Sequence, residues 1–361
     1  MSGAWQRKRD ILASLNHGNF VSGEALAEVL GISRAAVSKH INALADYGID
    51  VCSVKGKGYK LFDPVFLIDE PQLLKECPNR CFYFDELPST NAFLLQHTEE
   101  LQRGDICIAE FQSAGRGRRG RKWVSPYGSH LYFSMFWHLP QGMSQAMGLS
   151  LVVACSLVSA MRQLGADNVG VKWPNDIYFE NRKLAGVLIE MTGTADSGCD
   201  LVIGIGVNIA MPQQQGELIE QPWSDLRQII NYPDKTVLAL ALQQQLRKDL
   251  KLFELNGLTA FAERWHAADI YLGCDVRLLL GNDSISGRYQ GIDSQGGVIL
   301  ETADGLQHFV GEKSVCGKPD YLRSNTCSIA WFSPFLRIKL ARSRVGLMLL
   351  RRLGPLMVSQ T

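Results

Sequence analysis

The sequence predicts an α+β chain in three folded parts, and three observations carry that prediction. Residues 10–61 read as short helices followed by two alternating strands around a basic, glycine-containing turn. Residues 81–270 interleave strand-type alternation with longer helical periods. Residues 271–317 carry only short strand-like runs, divided by Gly-Asn, Asp-Ser and Asp-Gly turns. A chain of 361 residues, 46% hydrophobic, is long enough to give two or three domains cores of their own.

The first part opens with a short helix over residues 10–15. A second helix, 22–30, starts at a cap-type Ser22 with an acidic first turn, and Gly31-Ile32 breaks it. A third, 33–44, is capped by Ser33, and Leu26, Leu30, Val37, Ile41 and Leu44 supply a shared apolar face. From Ser22 to Asp46 this describes a helix-turn-helix, whose second helix enters the major groove of DNA. Its outward residues Ser33, Arg34, Ala36, Ser38 and Lys39 are small or basic, and Arg34 and Lys39 are the strongest DNA-contact candidates. The two strands of 47–61 follow, with Lys55 and Lys57 at a glycine-rich tip suited to phosphate or minor-groove contact. A three-helix protein-interaction module is the alternative. The segment resembles the winged-helix domain of bacterial transcription repressors.

Asp63-Pro64 and Glu70-Pro71 bracket a linker with a short helix, placing a boundary within 64–80. A strand at 81–87 leads to Ser89-Thr90-Asn91 and a helix running to about Leu101; these hydroxyls either cap the helix or face a small polar ligand. After a buried strand at 106–111, Gln112 leads into Gly115-Arg116-Gly117-Arg118-Arg119-Gly120-Arg121-Lys122-Trp123, with five cations in seven positions. Glycines let backbone N–H groups approach a ligand, and arginine forks match phosphate or carboxylate oxygens. A G-x-G-x-x-G spacing is present, but its filler is arginine and residues 129–137 alternate like a strand, which does not make a dinucleotide fingerprint. A basic surface loop or nucleic-acid patch is the plainer reading.

A buried helix is expected at 146–164; its apolar run 148–161 is too short to span a bilayer. In Lys172-Trp173-Pro174-Asn175-Asp176, the lysine can meet phosphate, while Asn175 and Asp176 offer oxygens for Mg²⁺ or for an incoming amine. Lys183 stands where a hairpin enters an apolar strand, a costly place for a cation unless it meets an anion. The strand at 201–209 holds Gly204 and Gly206, which permit close approach of a ligand. Residues 216–231 are polar around Trp223, whose plainer reading is a helix-packing tryptophan, and 237–255 form an amphipathic helix.

A net charge of +1 and a pI near 7.6 exclude a wholesale polycation and confine any nucleic-acid role to a local patch. The charge is uneven: from Lys318 onward eight cations face one aspartate, +7, which leaves −6 on residues 1–317. Of nine cysteines, the nearest pair, Cys77 and Cys81, has no second pair and no nearby histidine, which argues against zinc. An odd cysteine count without a secretory leader predicts reduced thiols and a cytoplasmic protein.

Ser89-Thr90-Asn91, Gln112 with the loop through Trp123, Lys172 to Asp176, Lys183-Leu184-Ala185-Gly186 and Gly204 to Asn208 together resemble the biotin protein ligases. With the winged helix in front, the resemblance is to the bifunctional bacterial type, a ligase that also represses biotin synthesis. It runs from about residue 10 to 317. It implies a winged-helix domain over 1–63, a linker over 64–80, and a mixed sheet of the class II synthetase-like biotin/lipoate ligase fold over 81–270. An SH3-like barrel follows over 271–317. Biotin would lie against Ser89, Thr90, Asn91, Gln112, Gly115, Arg116, Arg118, Lys183, Gly186 and Gly204. Arg118, Arg121, Trp123, Asn175, Asn208 and Trp223 would serve the nucleotide, Trp223 as a lid over adenine. The implied reaction joins biotin to ATP, whose Mg²⁺ arrives with it, as biotinyl-5′-AMP. The biotinyl group then passes to a lysine of the biotin carboxyl carrier protein. Lys183, Arg118, Lys172 and Asp176 would carry the chemistry. Biotinyl-5′-AMP would also promote homodimerisation on a palindromic operator. A ligand-sensing repressor without ligase activity and a lipoate ligase-like enzyme are the alternatives. The chain departs from the pattern where Lys313 replaces an apolar residue and Gly317 an arginine, which puts that arginine's contribution to nucleotide binding in doubt. Residues 318–361 have no counterpart; a disordered basic tail or a read-through of the natural terminus is expected, with an amphipathic membrane-surface segment as the alternative and no spanning segment.

Overall fold

The structure, a computed structural model, describes residues 3–140, 142–193, 198–280, 283–310 and 314–317. Lys313 and the expected tail lie outside the described residues. The N-terminal domain contains α1 (Gly3–Leu15), α2 (Gly23–Leu30), α3 (Arg34–Asn42) and a hairpin of β1 (Val51–Val54) and β2 (Gly58–Leu61). Ser22 and Ser33 cap α2 and α3, their hydroxyls accepting from the amides of Ala25 (3.1 Å) and Ala36 (3.2 Å). Gly31, at φ 62°, ends α2 in the left-handed region. The first helix begins seven residues before the expected Asp10, at Gly3, because Trp5 is drawn into the core. Its ring stacks on Tyr127 at 4.7 Å and meets Tyr47 edge-on.

Residues 64–80 are built into the body of the protein. Helix α4 (Glu70–Glu76) is capped by Asp69, whose own amide donates to Thr236 Oγ1 (2.9 Å). Asn16 holds Val65 by two hydrogen bonds, each 2.9 Å.

The central domain runs β3 (Cys81–Leu87), α5 (Thr90–Leu95), β4 (Ile106–Gln112), β5 (His130–Leu139), α6 (Leu149–Gln163), β6 (Gly170–Lys172), β7 (Asp176–Phe179), β8 (Arg182–Gly193), β9 (Cys199–Asn208), α7 (Gln213–Gly216), α8 (Lys235–Asn256) and α9 (Ala262–His266). Its sheet has the order β3-β4-β5-β9-β8-β7-β6; β3 and β4 are parallel and the other pairs antiparallel, so the sheet is mixed. Helix α5 stops at Leu95 instead of near Leu101. The ring of His97 packs on Phe93 at 4.5 Å and its Nδ1 engages the Phe93 carbonyl at 2.7 Å, a side-chain bond that competes with another helical turn.

The alternation of β5 and β9 divides the sheet into two faces. Phe133, Met135, Trp137, Leu201, Ile203 and Ile205 join the main core with α6 and α8. Phe136 and Val202, which are paired in register, turn the other way and pack with Leu94 of α5. Further along that second face stand small or polar residues, Ser134, Gly204 and Gly206, and there the sheet opens.

The C-terminal part is a five-stranded antiparallel sheet of β10 (Asp275–Leu280), β11 (Asp283–Ile292), β12 (Val298–Thr302), β13 (Gly305–Phe309) and β14 (Ser314–Gly317), in the order β13-β12-β11-β10-β14. A register shift between Tyr289 and Gly291 irregularises β11. Trp173 Nε1 donates to the Gly296 carbonyl (2.9 Å), fixing this part beside the central sheet. Gly317 ends β14 opposite Val276. No helix among the described residues is long and apolar enough to cross a membrane.

A buried polar cluster joins the N-terminal domain to the sheet. Glu110 forms an ion pair with Lys235 and accepts from the Ile68 amide (2.8 Å) and the Tyr83 hydroxyl (2.7 Å). Arg9 of α1 meets Asp85 at 2.6 Å and also bonds Tyr83, while the Tyr127 hydroxyl donates to Asp85 at 2.8 Å. Beside them His130 is fully enclosed; its Nδ1 accepts from the Ile209 amide (3.2 Å). Burial first, then the Lys235 charge, pushes the His130 pKa down to about 3. The folded form therefore holds fewer protons than the unfolded one between that value and the ordinary histidine pKa. This group makes the fold lose stability as pH falls below about 6.5, with a slope approaching about 1.4 kcal/mol per unit. Asp269, raised to about 6 by burial, acts with the opposite sign, so the diagnostic is a difference between proteins. Urea midpoints at pH 7.5 and 5.5 should drop more in wild type than in His130→Asn. Equal drops would refute the assignment.

Candidate active site

The open end of the second sheet face is the floor of a cavity of about 420 Å³. Strand register places its residues in rows: Ser134, Gly204 and Leu188 in one, and Tyr132, Gly206, Gly186 and Asp176 in the next. A Cβ on Gly204 would stand 2.3 Å from Asn91 Oδ1, and one on Gly206 would stand 2.6 Å from the Trp123 ring. Only glycine lets these neighbours close over the sheet.

The first turn of α5 supplies one wall. Ser89 Oγ accepts from the Ala92 amide as the cap (3.4 Å). The Thr90 amide and hydroxyl both approach Gln112 Oε1 (2.9 and 3.2 Å), and the Ser134 hydroxyl lies 2.7 Å from Thr90 Oγ1 and 2.6 Å from Asn91 Oδ1. Ser89, Thr90 and Asn91 are each about 95% buried, as their relative exposures of 5, 4 and 4% show, so they form a pre-arranged polar corner.

The basic loop covers the floor. Its ends are joined where the Trp123 amide donates to the Gly115 carbonyl (2.9 Å). Arg118 Nη1 donates to Asn175 Oδ1 (3.0 Å), and the Asn175 Nδ2 donates to the Val187 carbonyl (2.5 Å). Trp123 lays its ring on Gly206 and Gly186, with its buried Nε1 left without a protein acceptor. Lys183 Nζ stands 2.9 Å from Asp176 Oδ2 and 5.7 Å from the Trp123 ring centroid. Lys172 Nζ reaches the Tyr178 hydroxyl at 3.2 Å. An indole donor, flexible cations and a polar corner around a glycine floor suit a ligand with an apolar body and anionic groups.

Of the residues singled out from sequence, Ser89, Thr90, Asn91, Gln112, Arg116, Arg118, Arg121, Trp123, Lys172, Asn175, Asp176, Lys183, Gly186 and Gly204 line this cavity. Gly115, Asn208 and Trp223 do not. Gly115 sits where the loop crosses itself, and a Cβ there would be 2.5 Å from Ser125 Oγ. Asn208 is buried and its Nδ2 donates to the carbonyls of Ser224 (3.0 Å) and Lys183 (3.4 Å). Trp223 packs against Gly216 of α7 and donates to its carbonyl (3.1 Å), while pairing as a parallel bridge with Lys183. Both therefore hold the backbone of Lys183. In the N-terminal domain, Ser33 is engaged as a cap and Arg34 pairs with Glu24 (2.7 Å) on the surface; Lys39, Lys55 and Lys57 are exposed. Ser134, Tyr132 and Glu190 escaped the sequence reading. The period-two alternation of β5 and β8 was the available signal, but it assigns faces only once strand order is known.

Fold and site together define a winged-helix protein carrying a ligase-type domain built to hold an anionic substrate. The chain belongs to the biotin protein ligases, within the group of bifunctional ligase/repressors. The Biotin/lipoate A/B protein ligase family matches residues 82–208, an HTH domain matches 7–60, and the Biotin protein ligase C terminal domain matches 271–311. The chain is 46% identical over 297 residues to the bifunctional ligase/repressor BirA of Escherichia coli, covering 82% of this chain and 92% of that protein. With BirA of Bacillus subtilis it shares 28% identity over 298 residues, covering 80% and 91%. Among solved structures, the biotin protein ligase of Aquifex aeolicus in complex with biotin and ATP matches with a TM-score of 0.57 at 30% identity, covering 66% of this chain and 99% of that one.

Proposed function

We propose that this chain joins biotin to ATP as biotinyl-5′-AMP with release of pyrophosphate. It then transfers the biotinyl group to a lysine of the biotin carboxyl carrier protein. The observation that carries this reading is Lys183, whose Nζ sits between Asp176 and the Trp123 ring over the glycine floor. A ligand carboxylate placed there competes with Asp176 for the ammonium group. Biotin's carboxylate attacks the α-phosphorus, and the P–O bond to pyrophosphate breaks. Lys183 steadies the charge on the reacting oxygens, and Arg118, Arg121 and Lys172 neutralise phosphate, with Mg²⁺ entering on ATP as part of the substrate. Asp176, relieved of Lys183, takes the proton of the incoming carrier amine as the new amide forms and AMP leaves.

The winged-helix domain supports a second role, biotin-operator binding through Arg34, Lys39, Lys55 and Lys57, strengthened when biotinyl-5′-AMP promotes a homodimer. Both roles belong to the cytoplasm, where ATP, carrier protein and DNA meet. The test is single-turnover formation of labelled biotinyl-5′-AMP from biotin and ATP. Retained adenylate supports the reading. Adenylation of lipoate in place of biotin, or of neither, overturns it, and the second result would leave a ligand-sensing repressor with suspicion on Gly317.

A further inference from the structure

Glu190 lies in the second half of β8, opposite Val202, on the sheet face that carries the cavity, yet it does not line the cavity. Its Oε2 accepts from Asn91 Nδ2 at 2.9 Å and from Arg116 Nη2 at 3.0 Å. Asn91 belongs to the buried polar corner and Arg116 to the basic loop, so one carboxylate oxygen joins floor to cover. It also orients the Asn91 amide: Nδ2 faces Glu190 and the Leu188 carbonyl (3.3 Å), which leaves Oδ1 to the Ser134 hydroxyl (2.6 Å). The far end of the loop is tied to the same corner through neutral groups. Gln112 Nε2 donates to Ser125 Oγ (3.4 Å), and the Ser125 hydroxyl donates to the Trp123 carbonyl (2.9 Å). Glu190 thus supplies a charged fastening at one end of a loop whose other end is held by contacts between neutral groups.

We propose that Glu190 is a positioning residue that latches the basic loop to the pocket floor and sets how fast a bound ligand escapes. The proposal rests on the reading that biotin lies beneath this loop. A surface ion pair alone contributes little. This one differs because the same oxygen holds a buried amide, so loop and floor cannot shift independently.

Two variants separate the parts. Glu190→Gln keeps a carbonyl oxygen for Asn91 but removes the charge facing Arg116; Glu190→Ala removes both. Biotin release from Glu190→Gln should be about three- to tenfold faster than from wild type, with kcat for adenylation and Tm unchanged. Glu190→Ala, which also frees the Asn91 amide, should weaken biotin binding a further severalfold beyond Glu190→Gln. A readout without biotin is tryptic cleavage of the full chain within residues 116–122, which should be faster in Glu190→Gln than in wild type by a similar factor. Unchanged cleavage and release in Glu190→Gln overturn the latch, as does a loss confined to Glu190→Ala and accompanied by a lower Tm. Faster cleavage in a protein that binds no biotin would uphold the latch and remove the ligase reading instead.

Discussion

Lys183→Ala is expected to slow single-turnover adenylate formation by about 10²–10³-fold, equivalent to roughly 3–4 kcal/mol of transition-state stabilisation. Lys183 enters the site on β8, with its backbone fixed on one side by Pro222 and Ser224 and by Asn208 beneath. Its ammonium group is 15% exposed by side chain and faces one carboxylate, so it is preorganised without being consumed. Alanine leaves Asp176 as a partly solvated carboxylate facing an anionic substrate, so repulsion adds to the lost attraction. Stability should change little, because Asp176 keeps access to water. A folded Lys183→Ala protein with a wild-type rate would refute the role given to Lys183. Lys183→Arg should recover part of the rate, since it restores charge but not the compact ammonium geometry.

The largest expected effect on stability falls on Glu110. Its side chain is 0% exposed and that of Lys235 is 1%. Glu110→Ala would leave a buried ammonium without its counter-charge and strip acceptors from the Ile68 amide and the Tyr83 hydroxyl. Breaking such a pair from one side costs about 3–5 kcal/mol. Burial already lowers the Lys235 pKa against the pull of Glu110, so the orphaned lysine should shed its proton and soften the loss at high pH. Glu110→Leu with Lys235→Met, which removes both charges, should regain most of the stability. Urea unfolding of the three proteins decides the matter: equal midpoints for the single and double variants would mean that the pair is not what holds this region.

Much of this protein was legible in its sequence because local chemistry spoke for it. Ser22 and Ser33 announced their helices, and Lys55 and Lys57 marked a hairpin tip. The arginine-glycine run marked a loop that must lie near anions. What stayed hidden depended on partners remote in the chain. Trp5 extends α1 because it finds Tyr47 and Tyr127, and no helical period reports that. Trp223 looked like a free aromatic in a polar loop; its seat is Gly216, recognisable only in three dimensions. Glu190 had no local signal, because Asn91 and Arg116 approach it from 99 and 74 residues away. The parallel pairing of β3 with β4 set the pocket corner opposite Gln112, and alternation alone is blind to strand order.

Gly48 adds one close contact to the ion pair and ring stack that join the N-terminal domain to the central one. Gly48, just past the helix-turn-helix at φ 74°, leaves room where a Cβ would stand 2.8 Å from Pro126 and 3.2 Å from Gln215. Immediately before it, the Tyr47 carbonyl takes the amide of Tyr127 at 2.9 Å. The winged-helix domain, the return of the basic loop and the segment carrying α7 therefore meet at one point that has no room for a side chain. In mechanical terms, a bulkier residue at position 48 would press on the return of the basic loop and on the Gln215 helix at the same time.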